Sequence, residues 1–354
     1  MNTDTPTPTR PGEQLDQPAL QAYLIEQAPA VGQLTAIRQF PGGYSNLTYC
    51  LTTNSGLDYV LRRPPAGAKA IKGGHDMGRE FRVLTLLQRA GYKRIPTPVL
   101  YTDDESVLGA PFYVMTRVPG MILRAHTAPK LGIPADTMRR LSEALVDALV
   151  DLHAIDIRQA GLDQLGRPDG YVQRQVEGWH RRYEASQTDA IPEIDALVRY
   201  LTESLPVSAA PTLLHNDFKY DNVVLDPDNL SDIRAVLDWE MCTVGDPLID
   251  VGTALSYWSE AGDSAFRQSF NLTHLPGNLT RQGFAQRYSE RSGRDISQLR
   301  YYYVFGLFKN AVVMQQIYSR YKKGLTADPR FARLIDGVRA LSADGVQVLD
   351  SGRF

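Results

Sequence analysis

The sequence predicts an α+β chain of two lobes, a small antiparallel sheet with one main helix followed by a larger, mostly helical lobe. Three observations carry this. Short alternating apolar runs separated by Gly, Pro and Asn turns fill residues 34–116. Beyond Gly120 the apolar residues recur at helical steps of three to four. With 354 residues, 43% of them apolar, the chain is long enough for two cores.

Residues 1–14 are polar and rich in Pro and Thr, and are expected to be a disordered lead-in. The first lobe is placed at 15–119. It opens with a helix over 16–27, whose apolar side is Leu15, Leu20, Leu24 and Ile25. Strands follow at 34–40, 47–53 and 59–63, the last stopped by Pro64-Pro65. Residues 66–78 read as a mobile connection, and 78–90 as the lobe's helix, with Phe81, Leu84 and Leu87 inward. A strand over 95–100 and a hairpin formed by 107–108 and 112–116 complete the sheet. The second lobe is placed at 120–354, with helices over 136–153, 171–186, 194–205, 251–258, 279–291, 296–323 and 331–349.

Composition narrows the function. Formal net charge is -2, with both signs dispersed and no basic–aromatic stripe, which argues against nucleic acid as a partner. The 2 cysteines exclude a disulfide framework and a Cys-rich zinc site and fit a reducing cytoplasm. The polar start lacks the apolar segment of a secretion signal. The greasiest stretch, 301–314, is interrupted by Lys309 and Asn310 and is shorter than the ~18–20 residues that span a bilayer, so it is expected to be a buried helix and no membrane partner is expected. Nothing in the sequence assigns an oligomeric state.

The chemistry concentrates in residues 213–250. Two apolar strand-like pieces flank a polar loop, His215-Asn-Asp217-Phe-Lys219-Tyr-Asp-Asn222. In kinase-type phosphoryl transfer an Asp accepts the hydroxyl proton and an Asn five residues on holds Mg²⁺; Asp217 and Asn222 have that spacing. Lys219 lies where a cation can neutralise the transferred phosphate. His215 is read as a structural histidine holding the loop. Asp238 ends the run Ala-Val-Leu-Asp, as an acid is presented to a metal bridging ATP phosphates. A strand–turn–strand over 223–237 brings Asn222 and Asp238 to the same hairpin end. Glu240 is either a further ligand or an outer contact.

Two further constellations belong to the first lobe. Gly42-Gly43-Tyr44-Ser45-Asn46 is a turn whose N–H groups could approach phosphates. Alone it is an ordinary hairpin turn, and it lacks the pattern of a Walker loop. Arg62 on the third strand and Glu80 on the following helix supply the cation–acid pair that contacts the α- and β-phosphates. Arg63 competes with Arg62, because strand phase decides which points inward.

Together and in this order, these residues resemble the aminoglycoside phosphotransferase family, which has the protein-kinase-like fold. The resemblance covers roughly residues 32–320 and rests on His215-x-Asp217-x₄-Asn222, Leu-Asp238-Trp-Glu and Gly245-Asp246-Pro247-x-x-Asp250. Leu-Arg62-Arg-x-Pro, Arg79-Glu80 and Gly109-x-Pro-Phe-Tyr-Val-Met115 are similar to a branch linked to acyl-CoA dehydrogenases. The resemblance implies a site between two lobes, ATP as donor and Mg²⁺ as cofactor. It makes Asp217 the base and Asn222 and Asp238 the metal ligands. Met115 then lies behind the adenine, Thr116 and Val118 read its edge through their backbones, and Asp250 braces the catalytic loop. Arg62 departs from the family's usual lysine, and the two cations are not equivalent.

Only six residues separate Asp238 from Gly245, which leaves no room for a peptide-docking segment. A small hydroxylated acceptor is therefore expected over a protein, against the helices near 257–290 and 301–321. Tyr257, Trp258, Tyr301 and Tyr302 are candidate lining residues there, with core packing the commoner role. That region carries Glu260 and Asp263 against Arg267, Arg281, Arg287, Arg291, Arg294 and Lys309, a basic tilt that favours an anionic acceptor over a polycationic aminoglycoside or another amino or sugar alcohol. The dehydrogenase-linked branch points to a hydroxyacyl compound or its CoA thioester. The alternative is a non-catalytic nucleotide-binding or regulatory protein on the same fold.

Overall fold

The computed structural model describes residues 5–41, 46–65, 75–326 and 328–353. It divides into two units. One comprises Met1–Ile122, Gln159–Leu162 and Asn222–Met241, the other Leu123–Arg158, Asp163–Asp221 and Cys242–Phe354.

The first unit opens with helix α1, Gln17–Gln27, which Asp16 caps by accepting the Ala19 N–H at 3.0 Å. Strands β1 (Leu34–Gln39), β2 (Leu47–Thr53), β3 (Asp58–Arg63), β4 (Pro98–Thr102) and β5 (Phe112–Thr116) form an antiparallel sheet in the order β1-β2-β3-β5-β4. Tyr49, Leu51, Tyr59, Leu61, Phe112 and Val114 form one buried cluster with Leu20 and Leu24 of α1. Each such apolar side chain removed from water contributes roughly 1.5–3 kcal/mol. Helix α2, Met77–Arg89, packs on β4 and β5, and its buried residues are Met77, Glu80, Val83, Leu84 and Leu87. That 3–4 spacing places the Glu80 carboxyl on the inward stripe among apolar neighbours.

Three expectations are corrected here. Residues 5–14 are anchored: Thr7 pairs with Gln39, and Tyr49 Oη donates to the Glu13 carbonyl at 2.7 Å. Val107 and Leu108 belong to a one-turn helix, α3 (Glu105–Leu108), and β4 and β5 pair directly. Asp104 caps α3 by accepting the Ser106 N–H, and Gly109 ends it at φ +77°. The lobe boundary at 119–120 does not coincide with the division at Ile122–Leu123. The hairpin of β7 (Val223–Leu225) and β8 (Ile233–Val236) also belongs to the first unit. Met121 pairs with Leu225, Ile122 packs with Val224 and Ala235, and a Cβ on Gly120 would stand 2.5 Å from the Leu225 carbonyl oxygen.

The second unit contains α4 (Ala135–His153), α5 (Tyr171–Ser186), α6 (Pro192–Glu203), β6 (Thr212–Leu214) paired with β9 (Thr243–Gly245), and then α7 (Pro247–Tyr257). After these come α8 (Ala265–Phe270), α9 (Arg281–Ser292), α10 (Leu299–Lys322) and α11 (Leu334–Ser351). Helix α10 is buried continuously from Tyr301 to Val312. It meets α7 at backbone distance, because Gly252 and Gly306 face each other. No helix among the described residues is long and apolar enough to cross a membrane.

Candidate active site

The candidate residues divide between the two units. In the first unit, the β7–β8 register pairs Val223 with Val236, and the Leu237 N–H donates to the Asn222 carbonyl at 2.8 Å. Asn222 and Asp238 therefore lie at the same hairpin end. Asp238 takes φ +67°, a left-handed conformation that few residues other than Gly, Asn and Asp adopt. Such backbone costs of order 1–3 kcal/mol and tends to cluster at functional positions.

Arg62 Nη1 lies 2.9 Å from Glu80 Oε2 and its Nη2 lies 3.1 Å from Asp238 Oδ1. Arg63 turns the other way, donating to the Leu108 carbonyl at 2.9 Å. Tyr113 Oη donates to Glu80 Oε2 at 2.8 Å. Asn46 donates from Nδ2 to Glu80 Oε1 at 3.3 Å and to Glu240 Oε2 at 3.1 Å, and His75 Nδ1 lies 2.8 Å from its Oδ1. Burial works against the Arg62 charge, but Glu80, Tyr113, Asp238 and Glu240 outweigh it and hold the guanidinium well above its ordinary pKa. Burial raises the Glu80 carboxyl and Arg62 only partly offsets it, with Asp238 pushing the same way as burial.

Met115 is buried, paired with Val60 and Pro98. The Thr116 N–H is already committed to the Thr97 carbonyl at 2.9 Å, so it is not the amide that would read an adenine edge. Val118 packs beside the Ile122–Val224–Ala235 cluster. Gly42, Gly43 and Ser45 lie outside the described residues.

In the second unit, β6 delivers His215, Asn216 and Asp217. Asp250, on the first turn of α7, accepts the His215 N–H at 2.6 Å on Oδ2 and the Asn216 N–H at 2.8 Å on Oδ1. His153 Nε2 lies 3.2 Å from the same Oδ2, and Tyr288 Oη is 2.8 Å from His153 Nδ1. Asn216 has φ +65°, which turns the chain before Asp217. The His215 ring is buried and its Nδ1 accepts the Asp217 N–H at 3.2 Å. Lys219 Nζ donates to Asp217 Oδ1 at 2.9 Å and stands 4.6 Å from the Tyr257 ring centroid. Burial pushes the Asp217 carboxyl up, but Lys219, Lys309 and a hydrogen bond from Tyr257 overcome it, so the group titrates below the ordinary Asp value. Asp250 is also held low: burial raises it, and hydrogen bonds and charge from His153 and His215 more than offset that.

Among the lining candidates, Tyr257 reaches Asp217 and the others are core residues. Trp258 donates to the Leu279 carbonyl, Tyr301 to the Leu201 carbonyl and Tyr302 to Asp246. The basic tilt of the C-terminal helices does not survive folding. Arg281 pairs with Asp263 at 2.6 Å, Arg267 with Asp344 at 3.2 Å, Arg287 with Asp147 at 2.8 Å and Arg291 with Asp147 at 3.5 Å. Arg294 donates to the His153 carbonyl. Those cations hold the second unit together, and so they give no argument for an anionic acceptor. The sequence reading missed Tyr113 and His153, which carry no local motif. It also missed a role for Lys309, although a lysine inside a greasy helix was a signal.

A family model described as the phosphotransferase enzyme family, APH, matches residues 36–284. The chain belongs to that family. It is 32% identical over 343 residues to acyl-CoA dehydrogenase family member 11 of Gallus gallus, covering 94% of this chain and 43% of that protein. The chain thus spans less than half the length of that relative. A crystal structure of a putative aminoglycoside phosphotransferase from Ralstonia eutropha superposes with a TM-score of 0.81 at 28% identity, covering 96% of this chain and 99% of that one. The GDP complex of aminoglycoside 2'-phosphotransferase-IIIa superposes with a TM-score of 0.62 at 15% identity, covering 94% and 99%, a likeness of fold alone.

Proposed function

We propose that this phosphotransferase moves the γ-phosphate of Mg²⁺·ATP onto a hydroxyl of a small molecule. The observation that carries the reading is Asp217. It is kept ionised beside Lys219, on a loop whose backbone Asp250 holds. An ionised carboxylate on a fixed loop can orient an acceptor hydroxyl and take its proton. Lys219 then meets the charge of the transferred group. In the first unit, Arg62 is the candidate cation for the donor phosphates, with Glu80 and Tyr113 fixing its direction.

Asn222 and Asp238 would hold the metal. A carboxylate and an amide oxygen at one hairpin end match what Mg²⁺ takes from a protein when phosphates complete its shell. When bound, the ion supplies positive charge to the phosphate oxygens. The short interval after Asp238 is spent on a 3₁₀ turn, Trp239–Met241, and on strand β9. That supports a small acceptor.

A hydroxyacyl compound or its CoA thioester is the acceptor class we favour, on the name of the relatives alone. Turnover of an acceptor panel by wild type and Asp217→Asn tests the reading. The expected outcome is phosphorylation of hydroxyacyl compounds that falls roughly 10²–10⁴-fold in the variant, the usual worth of a general base. Turnover of aminoglycosides but not hydroxyacyl compounds would move the acceptor class. A second reading, a non-catalytic nucleotide binder, draws on the engagement of Asp238 by Arg62. Nucleotide binding without any Asp217-dependent turnover would select it.

A further inference from the structure

Lys309 has no part in the reaction as drawn, yet it is the most unusual cation of the second unit. It lies in the middle of α10, 4% exposed, between the buried Phe308 and the buried Asn310. A buried ammonium ordinarily has a carboxylate against it. The Lys309 ammonium donates instead to a backbone carbonyl, that of Asn216, at 2.7 Å. Its charge also faces the Trp179 ring of α5, 5.9 Å from the centroid.

Asn216 is the residue at φ +65° immediately before Asp217. Its three polar parts are each engaged. Asp250 takes the N–H at 2.8 Å, Lys309 donates to the carbonyl at 2.7 Å, and the side-chain amide donates to Tyr171 Oη at 3.4 Å. A conformation this costly persists only where its surroundings over-determine it. We propose that Lys309 is the positioning residue that locks the Asn216 turn and thereby aims Asp217. The proposal rests on the phosphotransferase reading of Asp217.

The groups facing Lys309 come from several elements. Asp217 and Lys219 belong to the loop, Asp250 to α7 and Arg182 to α5. Burial drives Lys309 down to about 8, with Lys219 and Arg182 adding to the fall and Asp217 and Asp250 opposing it. Near that pH the ammonium is lost. A neutral amine is a weaker donor to the carbonyl, and its attraction for Asp217 goes with the charge. The loop therefore loosens as Lys309 deprotonates.

Two measurements test this. The first needs no turnover. In ¹⁵N-labelled protein, the backbone amides of Asn216 and Asp217 are expected to shift with the same midpoint as the Lys309 Nζ signal, near pH 8. That shift is expected to vanish in Lys309→Arg, and the Lys309 midpoint to fall in Asp217→Asn. Amides that ignore the Lys309 titration overturn the proposal. The second is kinetic, with ATP and water or any acceptor turned over. Lys309→Met is expected to lower kcat about 10²-fold, the cost of a misplaced group. KM for ATP should be unchanged, and Lys309→Arg should restore activity and abolish the alkaline limb. Wild-type kcat and pH profile in Lys309→Met overturn the proposal. Should Lys309→Met not fold, the Lys309→Arg profile and the amide titration decide. An absence of Asp217-dependent turnover in wild type would instead sink the phosphotransferase reading and leave the amide titration to judge Lys309.

Discussion

At the scale of single residues, Arg62 and Lys309 show two ways a buried cation is held. Arg62 has two carboxylates and Lys309 has a carbonyl, so their removal should have opposite effects on stability. Arg62→Ala strands Glu80, which is 1% exposed, without its counter-charge. Breaking a buried pair in this way typically costs on the order of 3–5 kcal/mol, and urea denaturation should show it. A loss below about 1 kcal/mol, the worth of an exposed pair, would mean that Glu80 is compensated elsewhere. Lys309→Met removes an ammonium whose burial is only partly offset, so stability near neutral pH should hold or rise. The sign follows from linkage. Between about 8 and 10.5 the unfolded lysine binds more proton than the folded one, so wild-type stability gains with pH across that window and the gain is absent in Lys309→Met. Parallel stability–pH curves for the two proteins would contradict it. The choice between Arg62 and Arg63 was not legible beforehand. Strand alternation fixes that they point apart, but β3 is covered on both faces, so either arginine could have been the inward one. The loop of Asp217 was legible because base, cation and amide lie within six positions of one another. The Asn216 carbonyl and the Lys309 ammonium, 93 residues apart, could be joined only by folding.

At the scale of elements, the apolar period located the long helices to within a few residues. It failed where elements were short. Val107-Leu108 is too brief to distinguish strand from helix by period, and the decisive signals were the Asp104 cap and the Gly109 terminator. Strand β9 is three residues long and pairs with β6 across about thirty positions, so no local pattern announces it. The contact of α7 with α10 was also invisible, since a glycine inside a helix reads as a weakness. Folded, Gly252 and Gly306 permit backbone approach: a Cβ on Gly306 would stand 2.5 Å from the Gly252 carbonyl oxygen, which is backbone and cannot swing away. Gly306→Ala should therefore destabilise by about 1–3 kcal/mol, the usual cost of overpacking, despite alanine's better helix propensity. Because α7 carries Asp250 and α10 carries Lys309, the same change should lower turnover beyond what unfolded protein explains. A Gly306→Ala protein as stable as wild type would show that the helices can part without cost.

At the scale of the whole molecule, the candidate roles separate by unit. The residues proposed for nucleotide and metal are Arg62, Glu80, Asn222 and Asp238, and all lie in the first unit. The base and its supports, Asp217, Lys219, Asp250 and Lys309, lie in the second. This division was hidden in the sequence, where Asn222 and Asp238 sit among second-lobe residues. It arises because the β7–β8 hairpin packs on Gly120–Ile122. Each unit has its own buried cluster and its own tryptophans: Trp239 in the first, Trp179 and Trp258 in the second. A ligand that binds only folded protein adds stability by mass action, about 2.7 kcal/mol at a hundred times its Kd. Mg²⁺·ADP should therefore raise the urea midpoint reported by Trp239 more than the one reported by Trp179 and Trp258, read in proteins where the other tryptophans are phenylalanine. Asp238→Asn should shrink the magnesium-dependent part of that shift, because the hairpin keeps its amide ligand and loses its carboxylate. A larger shift in the second unit's tryptophans, or a shift in Asp238→Asn equal to wild type, would place the nucleotide and its metal on other residues than the Arg62–Asp238 cluster.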